Sequence, residues 1–195
     1  LFGSFSYTYY KILCQRMQTL NISMLDKKFG IIKNKFSSSL LNEWQEIYKK
    51  NTITKTLRGD DCWGIDKNCL AYNWFLKKVM PHLSESFPKN TKLIFSSYIN
   101  LHSIFPIHDD IKPLPEGAEG KHYLSILIPY SIDHKKENYD KVSTCFYDND
   151  KKLIDRISWE ENSLIWWESD LLHASSDFKT QGIDSKQYFI THTYV

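Results

Sequence analysis

The sequence lacks the features of membrane-spanning and disulfide-stabilised proteins. No run approaches the roughly 18 to 20 consecutive apolar residues that cross a bilayer. Four cysteines in 195 residues form no CxxC pair and no zinc-site spacing, so reduced thiols are favoured over a Cys62–Cys69 disulfide. We therefore expect a soluble, intracellular, cytoplasmic protein.

Blocks of charge of one sign are also missing. Lys and Arg number 25 against 23 Asp and Glu, and neither sign forms a long run. Proteins that bind nucleic acid carry a strongly basic stripe, which this chain does not have. We therefore expect neither nucleic acid nor membrane as a partner, while the sequence leaves the oligomeric state open.

Apolar and aromatic residues are plentiful, at 42% and 15% of the chain, which is enough to fill one core. We therefore predict a single domain over residues 1–195, with a mainly helical N-terminal part over 1–90 and a β-rich part over 91–195. The overall class is mostly β with N-terminal α, or α+β.

Two amphipathic helices are predicted in the N-terminal part. Leu40, Trp44 and Tyr48 share one helix face that follows a run of capping serines. A second helix is expected over 70–83, ended by Pro81 and Pro88. Between the two helices, residues 58–64 are predicted to form a loop.

Short runs rich in β-branched and aromatic residues follow, separated by polar turns, and their spacing predicts an antiparallel sandwich or barrel. The turn at 148–150 has the composition of a hairpin tip. The predicted strands cover 92–99, 123–130, 142–147, 153–157, 163–167 and 187–195.

A possible metal site lies in the β-rich part. In an extended segment, residues two apart point to one side, so His108 and Asp110 can face one ion while Asp109 turns away. His173, after an apolar strand and a turn, is a candidate third ligand. Two imidazoles and one carboxylate suit iron(II) with positions left open. A His-x-Asp or His-x-Glu pair arises by chance about once in a chain of this composition, so the motif alone is weak.

The order of the predicted strands and candidate ligands along the chain strengthens the case for a metal site. From Ile94 to Val195 the sequence resembles the Fe(II)/2-oxoglutarate-dependent dioxygenase superfamily, particularly its prolyl-hydroxylase-like branch. The resemblance is carried by IFSSYINLHSIFPIHDD, GKHYLSILIPYS, NSLIWWESDLLHASSDF and SKQYFITHTYV. It implies a double-stranded β-helix, a cupin-like jelly roll, as the catalytic core over 91–195, with the N-terminal helices as a buttress.

The resemblance also implies roles for particular residues. His108, Asp110 and His173 correspond to the iron ligands, and Tyr98 and Tyr123 to residues that contact the co-substrate. The implied cofactors are Fe(II), 2-oxoglutarate and O2, with ascorbate as a candidate reductant. The implied reaction converts 2-oxoglutarate to succinate and carbon dioxide and hydroxylates a C–H bond. Asp110 favours hydroxylation over halogenation, which in related enzymes needs that position vacated.

The sequence departs from the family at the basic residue that pairs with the distal carboxylate of 2-oxoglutarate. The family usually has Arg about ten residues after the distal histidine, but this chain has Lys179 six residues after His173, Lys186 thirteen after it, and then Gln187. A lysine can serve as a point charge for a carboxylate. Lys186 is our choice, and Gln187 stays open. An inward Lys186 would bring Tyr188 with it onto the same strand face.

Further residues near the site carry weaker expectations. At most one of Trp166 and Trp167 can line the pocket, because neighbours on a strand face opposite ways. His102 and His122 are candidates for positioning substrate, or simply satisfy local hydrogen bonds. The acidic loop containing Asp60 is more typical of a solvated loop than of a cation site.

The substrate class and the activity are open to alternatives. We expect a protein side chain such as proline, or a small amino-acid-like substrate. One alternative is a cupin-like metalloenzyme that does not use 2-oxoglutarate, which would need no inward cation. The other is a non-catalytic jelly-roll binding module, which the missing Arg favours.

Overall fold

The computed structural model describes residues 27–50, 53–55, 59–65, 70–88, 91–110, 123–135 and 138–194. In this part of the chain ten strands form two antiparallel sheets. The strands are β1 (Phe29–Ile32), β2 (Ile53–Lys55), β3 (Asp61–Ile65), β4 (Lys92–Leu101), β5 (Tyr123–Ile132), β6 (Ser143–Tyr147), β7 (Leu153–Ser158), β8 (Leu164–Glu168), β9 (Leu172–Ser175) and β10 (Lys186–Tyr194).

The larger sheet has seven strands in the order β1-β8-β5-β10-β4-β3-β2, and the smaller sheet has three in the order β7-β6-β9. The chain passes repeatedly between the two sheets, as from β5 to β6 and from β8 to β9, which is the predicted jelly roll. The 148–152 turn joins β6 to β7, and the Asp148 carboxylate accepts hydrogen bonds from two backbone N–H groups in it. The predicted hairpin tip is therefore confirmed.

Helix α1 (Ser38–Lys49) follows the predicted pattern. The Ser37 hydroxyl accepts a hydrogen bond from the Leu40 N–H, which caps the first turn. The buried face of α1 packs on the outer face of the larger sheet, where the Trp44 ring stacks on Phe189 with centroids 4.3 Å apart. This contact anchors the helical layer to the central strand β10.

Three expectations for the N-terminal part need correction. The helix predicted over 70–83 is two helices, α2 (Leu70–Lys78) and α3 (Met80–Ser84), which meet at Val79. Pro81 lies in the first turn of α3, where its missing N–H costs nothing, so it does not end a helix. Part of the predicted 58–64 loop is strand β3, which extends the larger sheet beside β4. The N-terminal part therefore contributes strands as well as helices.

Two apolar cores lie on opposite faces of the larger sheet. One fills the space under the helices and includes Trp44 and Phe189, and the other fills the space between the sheets and includes Trp167 and Tyr188. Alternation along β10 sends Phe189 to one core and Tyr188 to the other. Among the described residues, none of the helices has the length and hydropathy of a membrane span.

Candidate metal centre

Backbone pairing brings the three predicted metal ligands together. His108 and His173 form an isolated antiparallel bridge, in which each N–H donates to the other's carbonyl, at 3.0 and 2.8 Å. The Asp110 N–H donates to the Ser169 carbonyl at 2.8 Å. The segment after β4 is thereby attached to β9, although His173 lies more than sixty residues after His108 and Asp110 in sequence.

The two imidazoles are oriented in the same way. Nδ1 of His108 lies 2.7 Å from the Pro106 carbonyl, and Nδ1 of His173 lies 3.0 Å from the Leu171 carbonyl. A carbonyl only accepts, so each neutral ring carries its proton on Nδ1 and has its lone pair on Nε2. Both rings therefore offer the nitrogen that a metal ion would use.

The ligand atoms have a spacing suited to one ion. His108 Nε2 lies 3.9 Å from Asp110 Oδ1, and His173 Nε2 lies 3.5 Å from Asp110 Oδ2. One donor atom from each of the three residues lies within 4.8 Å of the others. Two nitrogens and one oxygen on a common face fit iron(II) and related divalent ions, with room for further ligands.

The charges of the site favour a deprotonated, metal-binding state. Burial raises the pKa of Asp110, but the nearby His173 and His192, the Ser125 hydroxyl and His108 outweigh it and hold the pKa below its usual range. Burial lowers the pKa of His173, with Asp110 opposing the shift. At neutral pH the site therefore holds a carboxylate beside a neutral imidazole, which are the forms that coordinate metals.

The three residues lie on the wall of a cavity of about 370 Å³ between the two sheets. The wall is mostly apolar and includes Leu127, Tyr188 and Ile190. Lys186 lines the same cavity and is only 2% exposed. It was predicted as the inward cation, and Tyr188 shares its strand face as expected.

Lys186 lies in an aromatic environment. Its Nζ is 4.7 Å from the ring centroid of Trp159, 5.1 Å from that of Phe178 and 5.9 Å from that of Tyr188. Burial lowers the pKa of the amine to about 7. The cavity thus combines a metal-ligand set with a buried amine that becomes a cation when it is protonated.

Tyr98 does not lie where the resemblance suggested. Its side chain is fully buried on the helix side of the larger sheet, where the hydroxyl donates to Gln187 Oε1 and accepts from Gln45 Nε2, both at 2.7 Å. Its β4 neighbours Ser97 and Ile99 line the cavity instead. Tyr98 therefore does not line this cavity, and its predicted co-substrate contact is not supported by its position. Gln187, which bonds Tyr98, also points away from the cavity.

Two further candidates lie outside the cavity. Tyr123 is at the outer end of β5, with its ring 6.4 Å from that of Tyr194, and does not line the cavity wall. The predicted co-substrate contact of Tyr123 is therefore not supported by its position. Lys179 is exposed, and its Nζ donates to the Asp184 carbonyl at 2.6 Å.

The residues with weaker expectations either lie away from the cavity or lie outside the described residues. His102 is exposed and contacts the Asn100 side chain, away from the cavity, while His122 and Cys69 lie outside the described residues. Asp60 is fully buried rather than solvated, and its carboxylate accepts hydrogen bonds from the backbone of His102 and from Ser103. It serves as a local structural acceptor.

The two tryptophans of β8 face opposite ways, as predicted. Trp167 lines the cavity, and its Nε1–H donates to Asp110 Oδ2 at 3.1 Å. Trp166 packs on the helix side against Phe87, with ring centroids 6.3 Å apart. Only one of the pair can therefore contribute to the site.

Sequence reasoning missed Ser125 and His192. Ser125 Oγ hydrogen-bonds the Asp110 carboxylate and lies 3.1 Å from His192 Nδ1. His192 lines the cavity, and its ring contacts that of Phe95 in a tilted arrangement with centroids 4.3 Å apart. Counting by two from Lys186 along β10 would have placed His192 on the cavity face, but no pattern marks Ser125.

Comparison with known proteins finds similar structures but no significant sequence match. No protein-family model matches the sequence, and no curated protein matches it significantly. A Pseudomonas putida prolyl-4-hydroxylase superposes with a TM-score of 0.61 at 8% identity, covering 91% of this chain and 97% of that one. A Trichoplax adhaerens prolyl hydroxylase, in complex with a hypoxia-inducible factor peptide fragment, gives 0.58 at 15% identity, covering 96% and 92%.

A third solved structure carries ligands. HygX from Streptomyces hygroscopicus, with nickel and 2-oxoglutarate bound, superposes with a TM-score of 0.60 at 7% identity, covering 89% of this chain and 85% of that one. At such low identity these likenesses establish the fold, which is the jelly roll of 2-oxoglutarate-dependent oxygenases. The chemistry of this chain must be argued from its own residues.

Proposed function

We propose that this chain is an Fe(II)- and 2-oxoglutarate-dependent dioxygenase that hydroxylates a C–H bond of a protein side chain, such as proline, or of a small amino-acid-like substrate. The observation that carries the proposal is the convergence of His108, Asp110 and His173 on a cavity that also contains the buried amine of Lys186. Such a cavity suits a co-substrate with two different ends. A chelating keto acid at one end would bind the metal, and a carboxylate at the other end would pair with the protonated amine.

The donor set fits iron(II). Both histidines present Nε2 and Asp110 presents a carboxylate, without any thiolate in the set. The bound iron would supply activation of dioxygen. A face of three protein ligands leaves three positions for a bidentate keto acid and one further ligand.

Lys186 supports 2-oxoglutarate as the co-substrate. A protonated lysine attracts the distal carboxylate as a point charge, and the aromatic rings around it exclude water and strengthen that attraction. A cupin-like enzyme without a keto acid would have no use for a buried amine in the cavity. This observation favours the dioxygenase over that alternative.

The protein's own residues would bind, orient and shield the reactants. The two histidines are fixed by backbone carbonyls, Lys186 fixes the far end of the keto acid, and apolar residues such as Leu127 keep water from the cavity. In the overall reaction, one oxygen atom of O2 enters the substrate C–H bond and the other enters succinate. The 2-oxoglutarate supplies two electrons and loses carbon dioxide.

Partner and substrate are part of the same proposal. The likeness to a prolyl hydroxylase in complex with a peptide fragment supports a protein side chain. The likeness to HygX, which has also been solved with hygromycin B bound, leaves room for small molecules. The near-balanced charge of the chain supports neither nucleic acid nor membrane as a substrate.

The test is succinate formation from 2-oxoglutarate under air, with Fe(II) and ascorbate as reductant. We expect slow substrate-independent turnover in the native chain and none in Asp110→Ala. Asp109→Ala, which changes the exposed neighbouring carboxylate, is the matched control and should keep the native rate. If the native chain forms no succinate and binds no 2-oxoglutarate at millimolar concentration, the binding-module alternative is favoured.

A further inference from the structure

We propose that Trp167 and Ser125 are positioning residues for Asp110, holding its carboxylate in the one rotation that faces the two imidazoles. This rests on the proposed metal-binding function. A carboxylate turns easily about its last torsion, so a single aspartate does not aim its oxygens by itself. Hydrogen bonds to the Pro106 and Leu171 carbonyls orient the two histidine rings. The Asp110 carboxylate needs hydrogen-bond partners of its own to orient it, which we call its anchors.

Trp167 is a rigid anchor. Its Nε1–H, which can only donate, lies 3.1 Å from Asp110 Oδ2. The indole is 1% exposed and contacts the rings of Phe146 and His173, at centroid distances of 6.0 and 4.6 Å. Because the ring cannot turn within this packing, the direction of the N–H is fixed before any metal binds.

Ser125 is the second anchor, and its proton can be assigned. Its hydroxyl has one proton and lies near the Asp110 carboxylate, Ser169 Oγ at 2.9 Å and His192 Nδ1 at 3.1 Å. A carboxylate that binds a metal is deprotonated and only accepts, so the Ser125 proton goes to Asp110. Ser169 and His192 must then donate to Ser125, which places the His192 proton on Nδ1.

These contacts form a directed chain of hydrogen bonds that ends on the carboxylate. Such outer partners orient metal ligands, and losing one typically weakens metal binding about 10- to 100-fold. Trp167 and Ser125 are also neighbours in the sheet, since Ser125 on β5 pairs directly with Trp167 on β8. One cross-strand residue pair of the larger sheet therefore supplies both anchors.

The experiment titrates the metal-free chain with Co(II), which reports its coordination through visible absorption. Trp167→Phe and Ser125→Ala should each weaken Co(II) binding at least about tenfold and change the band shape, because the carboxylate orientation is no longer fixed. Ser125→Thr keeps a hydroxyl and should restore the native spectrum. A purely structural role would lower the melting temperature without changing the spectrum.

Two matched controls lie on the other face of the same sheet. Trp166→Phe changes the neighbouring indole of β8, and Ser96→Ala removes a buried hydroxyl bonded to Thr191. Both should keep the native Co(II) affinity and spectrum. If Trp167→Phe and Ser125→Ala also do so, the inference is overturned. If the native chain shows no Co(II) site that Asp110→Ala removes, the proposed metal-binding function itself fails.

Discussion

Lys186 is a buried amine without a hydrogen-bond or ion-pair partner among the described residues. Three aromatic rings surround it, and its titratable neighbours among the described residues are Cys145 on β6 and Tyr188 on its own strand. Burial of an unpaired charge is costly, so the amine is held near the midpoint of its titration at neutral pH. Its charge state should therefore respond to what binds beside it.

This environment predicts a pH-dependent affinity for 2-oxoglutarate. Below about pH 7 the amine is already charged, and above it a proton must be taken up with the dianion. From pH 7.5 to 9 the affinity of the Ni(II)-loaded chain should fall roughly tenfold per unit. Calorimetry in buffers of different ionisation enthalpy would measure this uptake. Lys186→Arg, which stays charged, should show no such slope, and a flat profile in the native chain would contradict the assignment.

The same burial predicts that Lys186→Met stabilises the ligand-free chain. The folded pKa of about 7 lies below the usual 10.5 of lysine, so the unfolded chain binds more protons between these values. Stability therefore rises with pH across that window. The variant should melt a few degrees higher at pH 7, since 1 kcal/mol corresponds to about 2 to 4 °C at this size. The difference in melting temperature between the variant and the native chain should be smaller at pH 9. The variant should also lose 2-oxoglutarate binding.

At the scale of elements, the pairing of β1 with β8 limits the residue at position 30. Gly30 lies opposite Trp166, and an added Cβ would come within 2.9 Å of its Nε1. The indole is 4% exposed and packed against Phe87, so it has little space to move. A side chain at this position must push the edge strand away from β8.

Gly30→Ala should therefore destabilise the protein by about 1 to 3 kcal/mol, the usual cost of overpacking. Urea unfolding would show a lower midpoint with an unchanged slope. Gly64→Ala is the control, because its added Cβ would make ordinary contact, 3.5 Å from Ser97 Oγ. Equal stability losses in the two variants would argue against a specific clash with Trp166.

At the scale of the whole molecule, the proposed metal would join segments from both sheets. His108 and Asp110 follow β4 of the larger sheet, while His173 lies on β9 of the smaller one. Ligand binding to the folded state alone stabilises it by mass action. The metal should therefore act on global unfolding rather than on one loop.

Ni(II) at about 100 times its dissociation constant should add about 2.7 kcal/mol, or roughly 5 to 11 °C in melting temperature. The shift should shrink in acidic buffer, because protons compete with the metal for its ligands. Differential scanning calorimetry would measure it. His102→Ala, which removes an exposed histidine outside the cavity, should keep the shift, whereas His173→Ala should lose it.

Local sequence patterns were enough to predict the candidate ligand set and the class of fold. A His-x-Asp pair, a distant histidine and a series of short β-branched runs are local patterns, and each follows from the two-residue repeat of a strand or from ligand chemistry. The six predicted strands occur with small shifts at their ends. The short strands β1, β2, β3 and β9 were missed because none carries a distinct alternation.

The side of each strand that faces the cavity is set by long-range packing and is not visible in the local sequence. Both faces of the larger sheet are buried, one by helices and the other by the smaller sheet, so polar and apolar residues do not alternate along β4. Nothing in the sequence therefore distinguishes Tyr98, which faces the helices, from Ile99, which lines the cavity. For β10, register against β4 and β5 directs Lys186 inward and Gln187 outward. Pairing with strands that are distant in sequence therefore decides which β10 residues face the cavity, and no local pattern shows it.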